Sequence, residues 1–129
     1  MFSASVKTTQ QQQILDITRL VEEAVSESGV QEGLCLVYLP HATAAIIIGE
    51  YEPNLERDYL RFFSEFVPKS DYKHNEIDDN AEAHLKSAFF HSGKTIPVSG
   101  GKPVLGTWQS IMLCDFDGPR TRNIVVVVK

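Results

Sequence analysis

Gly106-Thr107-Trp108-Gln109-Ser110-Ile111-Met112-Leu113-Cys114-Asp115-Phe116-Asp117-Gly118-Pro119-Arg120 runs from a glycine turn, through an apolar stretch, into an Asp-Gly-Pro-Arg corner. Read as a strand, it sends successive side chains to opposite faces. Gln109, Ile111, Leu113 and Asp115 share one parity; Trp108, Ser110, Met112, Cys114 and Phe116 share the other. Both faces are largely apolar, which predicts a strand buried on both sides or lying under a subunit contact. Trp108, the only tryptophan, is expected to serve the fold or such an interface. Gln109 is expected to be an amide at the mouth of a buried strand. It would need a partner, because burying an amide without one costs roughly 1–3 kcal/mol.

The rest of the chain frames that stretch. At 129 residues and 43% hydrophobic content it is expected to form a single domain, residues 1–129, with a sizeable core. A net charge of −5 argues against a nucleic-acid partner, which usually demands a basic excess. No apolar run approaches the ~20 residues that span a bilayer, so no membrane partner is expected. The first residues, Met1-Phe2-Ser3-Ala4-Ser5-Val6, lack the charged and apolar regions of a signal peptide. A soluble, cytoplasmic protein is the expectation. Cys35 and Cys114 each lie inside an apolar run without CxxC spacing, and are read as buried free thiols.

Strands are expected over residues 2–7, 10–15, 34–39, 44–49, 95–98, 106–116 and 124–128. The runs Leu34–Leu39 and Ala44–Gly49 are apolar on both faces, which predicts a sheet covered on both sides by helices or by another subunit. Ile17, Leu20, Val21, Ala24 and Val25 keep helical spacing, from an Asp16/Thr18 start to a stop at Gly29. A second helix follows Pro53, with Tyr59, Phe62, Phe63 and Phe66 as core aromatics. Asn80 reads as the cap of a third helix, Ala81–Phe90, in which Leu85, Ala88 and Phe89 turn inward. The Gly100-Gly101 pair reads as a hairpin turn. About three helices and a mostly antiparallel sheet make an α+β fold.

Four histidines are present: His41, His74, His84 and His91. His41 falls at a strand break, His74 in a polar loop and His84 one turn into a helix. None of the pairs has the i, i+4 spacing of a HExxH site. The three can be unrelated hydrogen-bonding side chains, a metal site (metal: His41, His74, His84), or imidazoles around an anion, since histidine both binds metals and titrates near neutrality. His91 ends its helix and is expected to be exposed. Most carboxylates, Asp115 among them, are expected to be solvated. Glu50, at the end of a buried strand near His41, and Asp58, on the next helix, are the two that could bind a divalent ion or act as a base. Arg120 follows a rigid Gly-Pro corner and suits phosphate or carboxylate recognition, or a salt bridge with Asp117.

The strings His41-Ala-Thr-Ala-Ala-Ile46, Asn80-Ala-Glu-Ala-His84-Leu85, Pro97-Val-Ser-Gly-Gly101, Leu105-Gly-Thr-Trp-Gln-Ser-Ile111 and Asp115-Phe-Asp-Gly-Pro-Arg120 occur in that order. Together they resemble the YjbQ family, also called the secondary thiamine-phosphate synthase family, from Asp16 to the final strand. The resemblance implies a compact α+β protomer that assembles as a homotrimer, with pockets near the subunit contacts and a three-histidine metal or anion site at His41, His74 and His84. It implies a weak transferase activity that joins hydroxymethylpyrimidine pyrophosphate to thiazole phosphate. Ala42 stands where the family prefers threonine, and Gly49 where it has an amide, so two polar groups are missing.

Two readings follow. In the first, the protein is an enzyme of phosphorylated small molecules. The histidines bind a divalent metal (Zn or Mg) or the pyrophosphate, Arg120 neutralises phosphate, Glu50 or Asp58 holds Mg²⁺ or acts as base, and Gln109 orients substrate. In the second, it is a non-catalytic trimer that binds a metal or a ligand, and the motif residues mainly hold the interface.

Overall fold

The computed structural model describes residues 1–129. In chain order the elements are β1 (Phe2–Lys7), β2 (Gln13–Asp16), α1 (Thr18–Ser28), β3 (Glu32–Tyr38), β4 (Ala44–Gly49), α2 (Pro53–Phe66), a 3-10 turn (Lys73–Glu76), α3 (Ala81–Phe90), β5 (Gly93–Ser99), β6 (Lys102–Pro103), β7 (Ser110–Asp115) and β8 (Thr121–Val128). The eight strands, of which the short β6 was not among those expected, form two sheets. One has five strands in the order β1-β8-β3-β5-β6; the other has three in the order β2-β7-β4. Every pairing is antiparallel.

β7 is the centre of the three-stranded sheet, and its parity rule holds. Ile111 and Leu113 enter a cluster with Val37, Ile96 and Val126 of the five-stranded sheet and with Val21 and Val25 of α1. Met112, Cys114 and the following Phe116 enter a second cluster with Phe63 of α2 and Ala83 of α3. The small sheet is therefore the middle layer, with the large sheet on one side and α2 and α3 on the other. β4 obeys the same rule: Ala44 and Ile46 join the first cluster and Ala45 the second. Both cysteines are buried free thiols, and burial pushes the Cys114 thiol far up.

Local signals place the helices. The Asp16 carboxylate accepts from the Thr18 N–H and hydroxyl just before α1. Gly29 ends α1 at φ 72°, a conformation that a β-carbon disfavours. Glu52 accepts from the N–H groups of Asn54 and Leu55, capping α2, and Pro53 takes the first turn, where its missing N–H is no loss. Gly100 and Gly101, both at positive φ, form the β5–β6 hairpin turn.

Four expectations change. β7 begins at Ser110, so Trp108 and Gln109 belong to the preceding turn. Trp108 is 73% exposed, and Gln109 accepts from the Gly106 N–H through its own side chain, closing the turn locally rather than capping a buried strand. Of the α2 aromatics only Phe63 is buried; Phe62 and Phe66 lie on the flank toward α3, stacked on each other, with Phe62 edge-on to Phe90 and Phe66 tilted against Phe89. In α3 the inward residues are Ala81, Ala83, Lys86 and Ser87, while Leu85 and Phe89 face out. Small side chains are needed there because the helix comes close enough for the Ser87 hydroxyl to bond the Ala44 carbonyl at 2.7 Å. Finally, β3 is covered on one face only: Cys35 and Val37 are buried, whereas Leu34, Leu36 and Tyr38 are exposed. None of the helices is long and apolar enough to cross a membrane.

Candidate functional site

The site grows from a buried ion pair. Arg122, on β8, shares inward parity with Ile124 and Val126, and Asp115 ends β7; both are buried. Arg122 Nη2 meets Asp115 Oδ1 at 2.6 Å and also donates to the Thr43 hydroxyl at 2.8 Å. The remaining capacity of Asp115 is filled: Oδ1 accepts from the Asp117 N–H and Oδ2 from the Thr8 hydroxyl. Burial alone would raise the Asp115 pKa. The hydrogen bonds from Arg122, Thr8 and Asp117, with the charge of Arg122, outweigh it and hold the carboxyl below its ordinary value. Asp115 is thus the hub of a buried network, not a solvated acid. The sequence signal for Arg122 was its parity, since it stands on the same strand face as Ile124, Val126 and Val128.

Above this pair the surface opens into a depression of about 580 Å³. Its walls include His41 and Thr43 from the β3–β4 connection, Asn80 and His84 from the start of α3, and Asp117, Arg120 and Arg122 around the last corner. Arg120 donates from Nε to the Asp117 carbonyl and from Nη2 to Asp117 Oδ2, at 2.7 and 3.1 Å. Asp117 Oδ2 also accepts from Asn80 Nδ2 at 2.9 Å, and Asn80 Oδ1 faces His74 Nε2 at 3.0 Å. Asn80 therefore spends its side chain on this chain of bonds. The Asn75 side chain bonds the Ala81 N–H in its place, which corrects the expectation of an Asn80 side-chain cap.

The histidines divide between two surfaces. His41 and His84 line the depression. His74 lies behind Asn80, with its ring edge-on to His84 at 4.7 Å between centroids. His41 Nε2 accepts the Asn123 N–H at 2.8 Å, so that nitrogen is unprotonated and the ring offers Nδ1–H as its donor. Burial, then repulsion from Arg122, lowers the His41 pKa, with Asp115 opposing. One nitrogen of His41 and one of His74 are engaged in these bonds, and no group of three His, Cys, Asp or Glu side chains, as they stand, has the geometry of a metal site. His91 is exposed at the end of α3, as expected.

The other sequence candidates lie elsewhere. In the β4–β7 ladder Ala44 pairs with Asp115 and Gly49 with Ser110. His41 and Arg120 therefore belong to one end of the small sheet, and Glu50 and Gln109 to the other, separated by roughly 17 Å of strand. Glu50 is near Tyr59 there. Asp58 is exposed on α2. Neither carboxylate nor Gln109 meets the depression within one chain. The sequence reading treated β4 as a mark of nearness for Glu50 and His41, whereas a strand carries its two ends apart.

The protomer is an antiparallel α+β domain whose open hollow is lined by Arg120, Arg122, His41 and His84. The particular relationship is clear: this chain belongs to the YjbQ family, whose model, described as UPF0047 protein YjbQ-like, matches residues 3–129. It is 45% identical over 123 residues to a UPF0047 protein of Archaeoglobus fulgidus, covering 95% of each chain. It is 40% identical over 122 residues to the UPF0047 protein YugU of Bacillus subtilis, covering 94% of this chain and 92% of that one. Among solved structures, a YbjQ-like protein of unknown function from Sulfolobus solfataricus superposes with a TM-score of 0.96 at 44% identity, over 98% of this chain and 94% of that one. An uncharacterised YjbQ/UPF0047 family protein of Clostridium acetobutylicum gives 0.94 at 42% identity, over the whole of both chains.

Proposed function

We propose that the depression binds the phosphate groups of a phosphorylated small molecule, and that the protein is a transferase of the kind its resemblance implies. It would join hydroxymethylpyrimidine pyrophosphate to thiazole phosphate with release of pyrophosphate. The observation that carries the reading is Arg122. It is buried with an Nε that has no partner, at the floor of a hollow also lined by Arg120, His41 and His84. A guanidinium fixed by a neighbouring carboxylate beside a second arginine suits an oxyanion in the hollow.

As the bond between the pyrimidine methylene carbon and the pyrophosphate oxygen breaks and the bond to the thiazole forms, negative charge grows on the departing group. Cations already fixed in place stabilise that charge without reorganising. Arg122 is fixed by Asp115 and Thr43, Arg120 by Asp117. His41 supplies a neutral N–H donor beside them. A divalent metal, Zn or Mg, does not fit the three histidines as they stand, so no step is routed through one.

A coupling assay with the two precursors tests the reading, with Arg120→Ala beside wild type and pyrophosphate titrated into both by calorimetry. Product from wild type only, and pyrophosphate affinity lower by about tenfold or more in the variant, is expected for the loss of a charged hydrogen bond. Equal rates and equal affinities would remove the proposal. The second reading, a non-catalytic homotrimer that binds an anion, is favoured by the bare β3 face of Leu34, Leu36 and Tyr38. Pyrophosphate binding without product would select it.

A further inference from the structure

Lys86 projects from the inward face of α3 and takes no part in the histidine depression. It is 7% exposed and lines a separate cavity of about 170 Å³ with Gln12, Ser64, Glu82 and Phe116. Asn80 and Asp117 belong to the walls of both hollows, so the two lie back to back across the Asn80–Asp117 hydrogen bond. Lys86 Nζ donates to Gln12 Oε1 at 3.0 Å. The Gln12 amide is oriented for this, because its Nε2 donates to the Leu60 carbonyl and the Ser64 hydroxyl. The ammonium otherwise faces the Phe116 ring, 5.7 Å from its centre. None of the ion pairs in the chain includes Lys86. With no carboxylate paired to it, the buried ammonium loses hydration that one neutral oxygen and an aromatic face replace only in part, and burial favours the free amine. Burial lowers its pKa, against an opposing pull from Glu82.

We propose that Lys86 is a nucleophilic amine that forms an imine with a small, uncharged, polar aldehyde or ketone held in this cavity. The Nζ lone pair bonds to the carbonyl carbon, and the carbonyl π electrons move to oxygen, which takes up a proton. The resulting carbinolamine loses its hydroxyl as water and a proton from nitrogen, giving imine plus water. Glu82, one turn earlier on the same helix and on the cavity wall, accepts from Asn75 through Oε1 and would pass those protons through its other oxygen. The cavity exceeds the roughly 30 Å³ share of one water several-fold but admits only a few heavy atoms. On its wall the Gln11 side chain makes no hydrogen bond within the chain, which matches a hydroxylated carbonyl compound. The charged groups that face it are Lys69, Asp79, Glu82 and Asp117 besides Lys86, so acids outnumber bases and an anionic ligand is disfavoured. The inference is independent of the phosphate reading.

The full chain is incubated at neutral pH with glycolaldehyde and cyanoborohydride, which reduces any imine to a stable amine, and each lysine is followed by peptide mass mapping. Lys86 is expected to be labelled about fivefold or more faster than the exposed Lys73 and Lys129. Its rate should level off at a lower pH than theirs, and its advantage should vanish in urea. Lys86→Met should lose the fast site while keeping its circular dichroism. Should the variant fail to fold, the site-by-site comparison within wild type decides alone. Labelling of Lys86 no faster than Lys73 in the folded chain, or an advantage that survives unfolding, overturns the proposal.

Discussion

Arg122 of β8 and Asp115 of β7 meet at 2.6 Å and tie the large sheet to the small one beneath the histidine depression. The pair is buried on both sides, and Thr8 and Thr43 complete its hydrogen bonding. One contact thus serves packing and site: it joins two layers and fixes a guanidinium at the floor of the hollow.

Asp115→Asn should be strongly destabilising. It leaves the Arg122 charge buried without its partner, which costs about 3–5 kcal/mol. Urea unfolding followed by circular dichroism would read this as a lower midpoint at an unchanged slope. A loss under about 1 kcal/mol would mean that the pair contributes little to the joining of the sheets.

His41 should make the protein lose stability as the pH falls from neutral. Its pKa is lowered in the folded chain from an ordinary value of 6.5, so the unfolded ring binds its proton first. Stability is full above that value and declines below it until the folded ring protonates as well. Asp115 works in the same sense further down: its depressed pKa gives stability that is present above the ordinary carboxylate value and lost as pH falls through the folded one. Urea midpoints between pH 7 and pH 5 should fall less steeply in His41→Gln than in wild type. Parallel slopes would show that another group titrates.

Metal content separates two uses of the same histidines. With His41 Nε2 bonded to the Asn123 N–H and His74 Nε2 to Asn80, purified protein is expected to carry well under one zinc per chain after dialysis, with or without His84→Ala. Elemental analysis checks it. One tightly held zinc per wild-type chain, lost in His84→Ala, would establish a metal site and require His41 or His74 to turn.

The exposed β3 face should be covered in solution. Leu34 is 56% exposed and Tyr38 44%, on one sheet face with the exposed Leu36 between them, and a bare apolar patch of this kind marks an interaction surface. Wild type should run as a trimer by light scattering, and Leu36→Glu should shift it toward monomer. A monomeric wild type would refute the homotrimer.

The alternation of Ile111, Leu113 against Met112, Cys114 was legible without coordinates, and so was the middle position of β7, because a strand apolar at both parities has to be covered twice. Helix limits at Gly29 and Pro53 were legible for equally local reasons, a left-handed stop and a missing N–H. The motif strings carried the family. Partners were a different matter. Whether Gln109 faces a pocket or its own turn, and whether Leu85 or Lys86 is the inward residue of α3, depends on how closely each element approaches its neighbour. Glu50 and His41 flank one short strand in sequence, yet extended backbone puts them at opposite ends of it. Residues as distant in the chain as Thr8, Thr43, Asp115 and Arg122 become neighbours only when two sheets stack, because the charges then have no water to turn to and must find one another. The Gly106–Arg120 stretch by itself determined a two-sided strand and a family. The tertiary structure alone decided that its Trp-Gln end closes a surface turn, while its Asp-Gly-Pro-Arg end builds the site.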